Sequence, residues 1–112
     1  MTSGAPAFLA LWNDVDPARD AEYNIWHTYE HVPERVGVAG IVAGRRYHAR
    51  ERRDQRYFTR YDLDSLTALN GPAYADVVEN PTPWSRSMRP SLRNFFRQPC
   101  SVVARLGAGR AR

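Results

Sequence analysis

The segment Asn24-Ile25-Trp26-His27-Thr28-Tyr29-Glu30-His31-Val32-Pro33-Glu34-Arg35 brings two histidines, two carboxylates and two large aromatics into about three helical turns. Histidine titrates near neutrality, so His27 or His31 can remove a proton and return it without a cofactor. Glu30 beside such a base would fix its tautomer and raise its basicity. The reaction also needs a donor for the charge that develops, and Arg46, Tyr47, His48 or Tyr61 on the central strands can supply it, with Arg46 or Tyr47 expected to hold the oxyanion. Trp12, Trp26, Tyr29, Phe58 and Trp84 can enclose an apolar or aromatic substrate, together with His48 and Tyr61. Core packing is the plainer role for each of these aromatics.

The same residues spell H-x-x-E-H from His27 to His31, a zinc-protease spacing that puts two histidines on one helical face. Such proteases are far larger and take a third ligand from a later helix, so no metal is expected. No serine sits in G-x-S-x-G, and the 7 glycines are spread over turns and tail rather than gathered in a phosphate or dinucleotide loop. The chemistry left is what side chains alone can do.

These residues have to be held by a small body. The 112 residues suffice for one domain, 1–112, with an ordered core of about 7–106 and a mobile tail at 107–112. No apolar run approaches the ~20 residues that cross a bilayer, and the opening residues lack the pattern of a signal peptide. Cys100 is alone, which rules out an intrachain disulfide and fits a reducing cytoplasm. The net charge is +4, and all 16 basic residues are arginines. They are scattered among acids, so nucleic acid is not the expected partner. Arginine does suit a carboxylate-bearing small molecule.

Ala7 to Trp12 reads as a buried strand. Asp16-Pro17 then opens a helix that should end near His31, because Pro33 disfavours helical geometry at Val32. Ala18, Ala21, Ile25 and Val32 form the stripe expected to pack on a sheet, with Tyr23, His27, Glu30 and His31 roughly opposite. Ile41 to Arg52 and Tyr57 to Leu63 read as a hairpin turning at Arg53-Asp54-Gln55. In it, Ile41, Ala43, Arg45 and Tyr47 share one face, and Val42, Gly44, Arg46 and His48 the other. A second helix starts at Asp64, breaks at Asn70-Gly71-Pro72 and resumes over Ala73 to Val78. After the Asn80 to Trp84 loop, a last strand is expected near Ser101 to Leu106. The order β-α-β-β-α-β is that of an α+β, ferredoxin-like fold with a four-stranded antiparallel sheet. Its uncovered sheet face argues for a homodimer packed sheet on sheet.

Trp26-His27-x-x-Glu30-His31-x-Pro33-Glu34-Arg35, then Gly40, then Arg45-Arg46-Tyr47, resembles the EthD-like branch of the dimeric α/β-barrel superfamily. Gly71-Pro72-Ala73-Tyr74 and Asn80-Pro81-Thr82-Pro83-Trp84 are similar to the same branch, and the match runs over about residues 7–106. Ala39 departs from it, where a proline commonly precedes the glycine. The resemblance implies a dimeric barrel with a ligand pocket between sheet and helices in each protomer. It does not select a reaction, since isomerases, cyclases, dehydratases, cofactor-free oxygenases and haem-degrading enzymes share the fold. The expectation is a cofactor-independent lyase or isomerase acting on a small apolar or aromatic molecule bearing a carboxylate, carbonyl or phenol. The alternatives are a cofactor-free oxygenase of a phenol and a noncatalytic ligand-binding accessory protein.

Overall fold

The computed structural model describes residues 6–102. The tail, and the end of the expected last strand from residue 103 onward, lie outside the described residues. Four antiparallel strands form one sheet in the order β2-β3-β1-β4: β1 Ala7–Val15, β2 Ile41–His48, β3 Tyr57–Leu63 and β4 Leu92–Ser101. The connections carry α1 Asp20–Trp26, a π-helical turn His27–His31, α2 Val32–Val36, α3 Pro72–Glu79 and α4 Pro83–Met88. No helix among the described residues is long and apolar enough to cross a membrane.

Alternation sets the two sheet faces. On β1 and β3, Leu9, Tyr61 and Leu63 turn toward the helices and pack with Val38 and Ile41. Phe8, Trp12 and Phe58 turn the other way. A second cluster, Val15, Tyr23, Trp26, Tyr57 and Met88, fills the space beneath α1 and α4.

The first helical segment starts as its residues dictate. Asp16 Oδ1 accepts from the Ala18 N–H at 3.0 Å, and Pro17 occupies the first position. Its buried face, however, is the reverse of the aliphatic stripe. Ile25 is 54% exposed, and Ala18 and Ala21 are exposed too, while Tyr23, Trp26 and His27 are buried. Two large aromatics remove far more apolar surface from water than two alanines and an isoleucine, so they take the core.

The helix also continues past His31. Pro33 cannot donate the next α-helical bond, but the π turn changes the register: the Val32 N–H donates to the His27 carbonyl, five residues back. Pro33 then stands in the first turn of α2, where no donor is needed.

The hairpin is shorter than its pattern suggests, since β2 stops at His48. Its parity is also broken. A bulge places Ile41 opposite Leu63 but Ala43 opposite Asp62, so Ile41 joins Gly44, Arg46 and His48 on the helix side. A Cβ on Gly44 would lie 2.8 Å from Val32 Cγ1 and 3.0 Å from Tyr61 Cε1, so only glycine lets the helix come this close.

The last strand begins at Leu92, nine residues earlier than expected. It is an edge strand, and an edge tolerates the charges and Pro99 that hide its apolar alternation.

Candidate active site

A chamber of about 430 Å³ lies between the sheet and the helices. Leu9, Leu11 and Asn13 of β1 and Thr59 and Tyr61 of β3 make its floor. Tyr23, Trp26, His27, His31 and Arg35 reach it from the α1-to-α2 segment. Tyr74 and Val78 of α3, Arg89, and Leu92, Phe95 and Arg97 of β4 close the remaining side. Among the described residues, no carboxylate lines it.

The π turn sets the two histidines side by side, with ring centroids 4.9 Å apart and planes 30° apart. Trp26 flanks His31 at 4.7 Å, and Tyr23 flanks His27 at 5.1 Å. Three polar atoms here are enclosed with no hydrogen-bond partner among the described residues: Nδ1 of His27, Nδ1 of His31 and the Tyr61 hydroxyl. Nearby polar groups are matched, as where Asn13 Nδ2 donates to the Tyr23 hydroxyl at 3.1 Å.

Burial and arginine charge keep this wall neutral. Burial above all, then the neighbouring His31, Arg46 and Arg35, pushes His27 from the usual 6.5 down to about 2. Burial, then Arg35, Arg89 and Arg46, brings His31 to about 3. Burial raises Tyr61 well above the usual phenol range, so it stays a hydrogen-bond donor.

Of the residues singled out in the sequence, the structure brings His27, His31, Trp26 and Tyr61 together at the chamber. The rest lie elsewhere. Glu30 does not orient a histidine. Its Oε2 accepts from Trp26 Nε1 at 3.2 Å, Ser85 Oγ at 3.1 Å and Thr82 Oγ1 at 2.5 Å, which ties the π turn to α4. The described residues contain no group of three or more His, Cys, Asp or Glu suited to a metal ion.

Arg46 stands behind the site. It donates to Thr28 Oγ1 and to Asn24 Oδ1, each at 2.8 Å, and its guanidinium covers the rings of Tyr23 and Tyr57. It clasps the β2 edge to the helix and adds positive charge without lining the chamber. Tyr47, Trp12 and Phe58 face away on the outer side of the sheet, where Phe58 lies 5.7 Å from Tyr47 and 5.0 Å from Trp12. Tyr29 is 77% exposed. His48 stacks on Tyr57 at 4.5 Å beside a separate shallow cleft. Trp84 donates to Glu22 Oε2 at 2.9 Å and packs over the second core cluster.

Other chamber residues were not singled out by sequence. Arg35 donates to Glu34 Oε1 at 2.9 Å and also forms part of the wall. Asn13 and Thr59 carried a usable signal: both are polar side chains at inward-facing positions of central strands. Arg89, Phe95 and Arg97 had none, because β4 was placed too late.

No family model and no curated protein matches the chain. Solved structures do. A dimeric ferredoxin-like protein from an uncultured marine organism is 12% identical, with 95% of each chain covered and a TM-score of 0.68. The haem degrader MhuD of Mycobacterium tuberculosis, solved with two haems in its active site, is 18% identical, covering 90% of this chain and 99% of its own at a TM-score of 0.59. A Bacteroides thetaiotaomicron protein named provisionally as an antibiotic biosynthesis monooxygenase is 12% identical over 96% and 97% of the two chains, at 0.57. At these identities the likeness is one of fold, and the fold of this chain is ferredoxin-like.

Proposed function

We propose that the chain binds a small, largely apolar or aromatic molecule in this chamber and transforms it by proton transfer at His27 and His31. The reaction would be of lyase or isomerase type: an isomerisation, dehydration or cyclisation run by side chains. The observation that carries this reading is the trio of enclosed polar atoms, on three side chains that line the chamber, with no hydrogen-bond partner among the described residues. A buried polar group without a partner costs about 1–3 kcal/mol, and a bound carbonyl, carboxylate or phenol would supply the partner once a small turn of these side chains opened the atoms to the chamber.

The free histidines are weak bases chiefly because they are buried, and a ligand carrying negative charge would raise their basicity by offsetting the arginine charge that also opposes protonation. The protonated Tyr61 hydroxyl would hold the developing oxyanion, with Arg35 as its counter-charge. These two take the role first considered for Arg46 and Tyr47.

The EthD-like resemblance and the homodimer belong to the same reading. Phe8, Trp12, Tyr47, Phe58 and Phe96 on the outer sheet face would be covered by a second copy, and a relative named dimeric supports this. Phe58→Asp should convert a micromolar dimer to monomer in sedimentation; a monomeric unmodified protein would remove the barrel argument.

The activity test is a panel of aromatic acids and phenols, with product formation followed in the unmodified protein and in His27→Ala and His31→Ala. Each substitution should abolish turnover while leaving the circular dichroism spectrum intact. The depressed basicity of the free histidines favours a second reading, a noncatalytic ligand carrier, which saturable binding without product would select. The monooxygenase name of the Bacteroides relative supports the oxygenase alternative, and oxygen uptake with a bound phenol would select that.

A further inference from the structure

The chamber has two electrostatic ends. At the inner end stand His27, His31 and Tyr61, uncharged at neutral pH, beside Arg35, whose charge is paired with Glu34. Toward β4 stand two arginines whose charge is unopposed, Arg97 and, close enough for its charge to act on His31, Arg89. Arg89 donates to the Val78 carbonyl at 2.8 Å, and Arg97 reaches the Tyr74 hydroxyl at 3.4 Å. Neither has a carboxylate partner among the described residues, whereas Arg19, Arg60 and Arg93 close on Glu22, Asp62 and Asp16.

The register gives the separation of the two ends. Arg97 pairs with Leu11, and Tyr61 pairs with Leu9, so they lie two strands apart across the sheet and two residues apart along it. At about 4.8 Å between strands and 3.4 Å per residue, the Cα atoms are on the order of 12 Å apart. A chamber of about 430 Å³ has room for a body of about two fused rings between them. Leu9, Leu11, Leu92 and Phe95 supply apolar walls for it.

We infer that the ligand is a carboxylate-bearing apolar molecule, held with its carboxylate at Arg89 and Arg97 and an uncharged carbonyl or hydroxyl at His27, His31 and Tyr61. This rests on the proposed reading of the chamber and adds its substrate class and direction of binding. The planar guanidinium fork matches a carboxylate better than it matches a lone hydroxyl, which decides for the acid over the phenol at this end. The reacting atoms are then those of the polar group farthest from the carboxylate.

The test uses 6-hydroxy-2-naphthoic acid and its methyl ester, titrated calorimetrically at pH 7.5. The acid should bind at least tenfold tighter than the ester. Arg89→Gln/Arg97→Gln should bring the two affinities within about twofold, and Arg89→Lys/Arg97→Lys should keep part of the preference. Both arginines are exposed, and thermal melting checks that the variants fold. An acid that binds no tighter than the ester, or a preference that survives the Gln pair, overturns the inference. If both probes bind equally and both are lost in His27→Gln/His31→Gln, the chamber reading stands and the carboxylate assignment alone fails. If neither probe binds the unmodified protein, both fail.

Discussion

Acid should unfold this protein through its two buried histidines, and the sign follows from their environment. His27 falls from 6.5 to about 2 and His31 to about 3, because burial and Arg35, Arg46 and Arg89 all oppose a positive charge there. The unfolded chain therefore takes up protons at pH 5 that the folded chain refuses, and stability must rise with pH. The contribution is complete above about pH 6.5 and is lost as pH falls toward 3. At pH 5 the solution is 1.5 units below the unfolded pKa of 6.5, which costs about 2 kcal/mol for each histidine at 1.36 kcal/mol per unit, or roughly 4 kcal/mol for the pair. Urea unfolding at fixed protein concentration, followed by tryptophan fluorescence between pH 7 and 4.5, reads this directly. His27→Gln/His31→Gln should lose most of the slope below pH 6, up to about 3 kcal/mol per pH unit. The depressed carboxylates Asp14 and Glu22 are common to both proteins and cancel. Parallel slopes, or histidine resonances from His27 and His31 that titrate near 6.5, would refute the buried neutral pair.

Two further substitutions separate site from scaffold. Tyr61→Phe removes an enclosed hydroxyl without a partner, so the free protein should unfold at the same urea concentration or a higher one, while turnover drops at least tenfold. A loss above ~1 kcal/mol in stability would instead mark the hydroxyl as structural. Gly44→Ala puts a methyl 2.8 Å from Val32 Cγ1 and should cost about 1–3 kcal/mol, measured as a lower Tm; an unchanged Tm would mean that β2 and the helix have room to part.

The fold was legible because its evidence is redundant. Three strands carry apolar alternation, Asp16-Pro17 marks a helix start, and Asn70-Gly71-Pro72 marks a break, so one weak element does not change the topology. β4 was the weak element. An edge strand needs little apolar pattern, so Val102 and Val103 attracted the expectation that belonged to Leu92–Ser101. The site was legible only in part. His27 and His31 stood out by type, but Arg35, Arg89 and Arg97 look like any surface arginine until tertiary contacts place them. Trp12, Tyr47 and Phe58 failed for the opposite reason: aromatic type does not say which sheet face a residue takes, and their shared parity with Phe8 and Phe96 does.

The π turn explains both the misread helix and the site. Tyr23, His27, His31 and Arg35 recur every four residues, and all four line the chamber. In a uniform α-helix each four-residue step drifts by about 40°, so Arg35 would sit about 120° from Tyr23, off the chamber face. The five-residue register at His27–His31 absorbs one residue and takes back about 100°, leaving Arg35 within roughly 20° of Tyr23. The same correction moves Val32 about 120° from Ile25, which is why one is packed and the other exposed. Pro33 is thus part of the device: it disfavours the α register at the turn where the wider one is needed. An every-four run of chamber-facing side chains that ends in a proline-bearing turn is the pattern that a 100° wheel conceals.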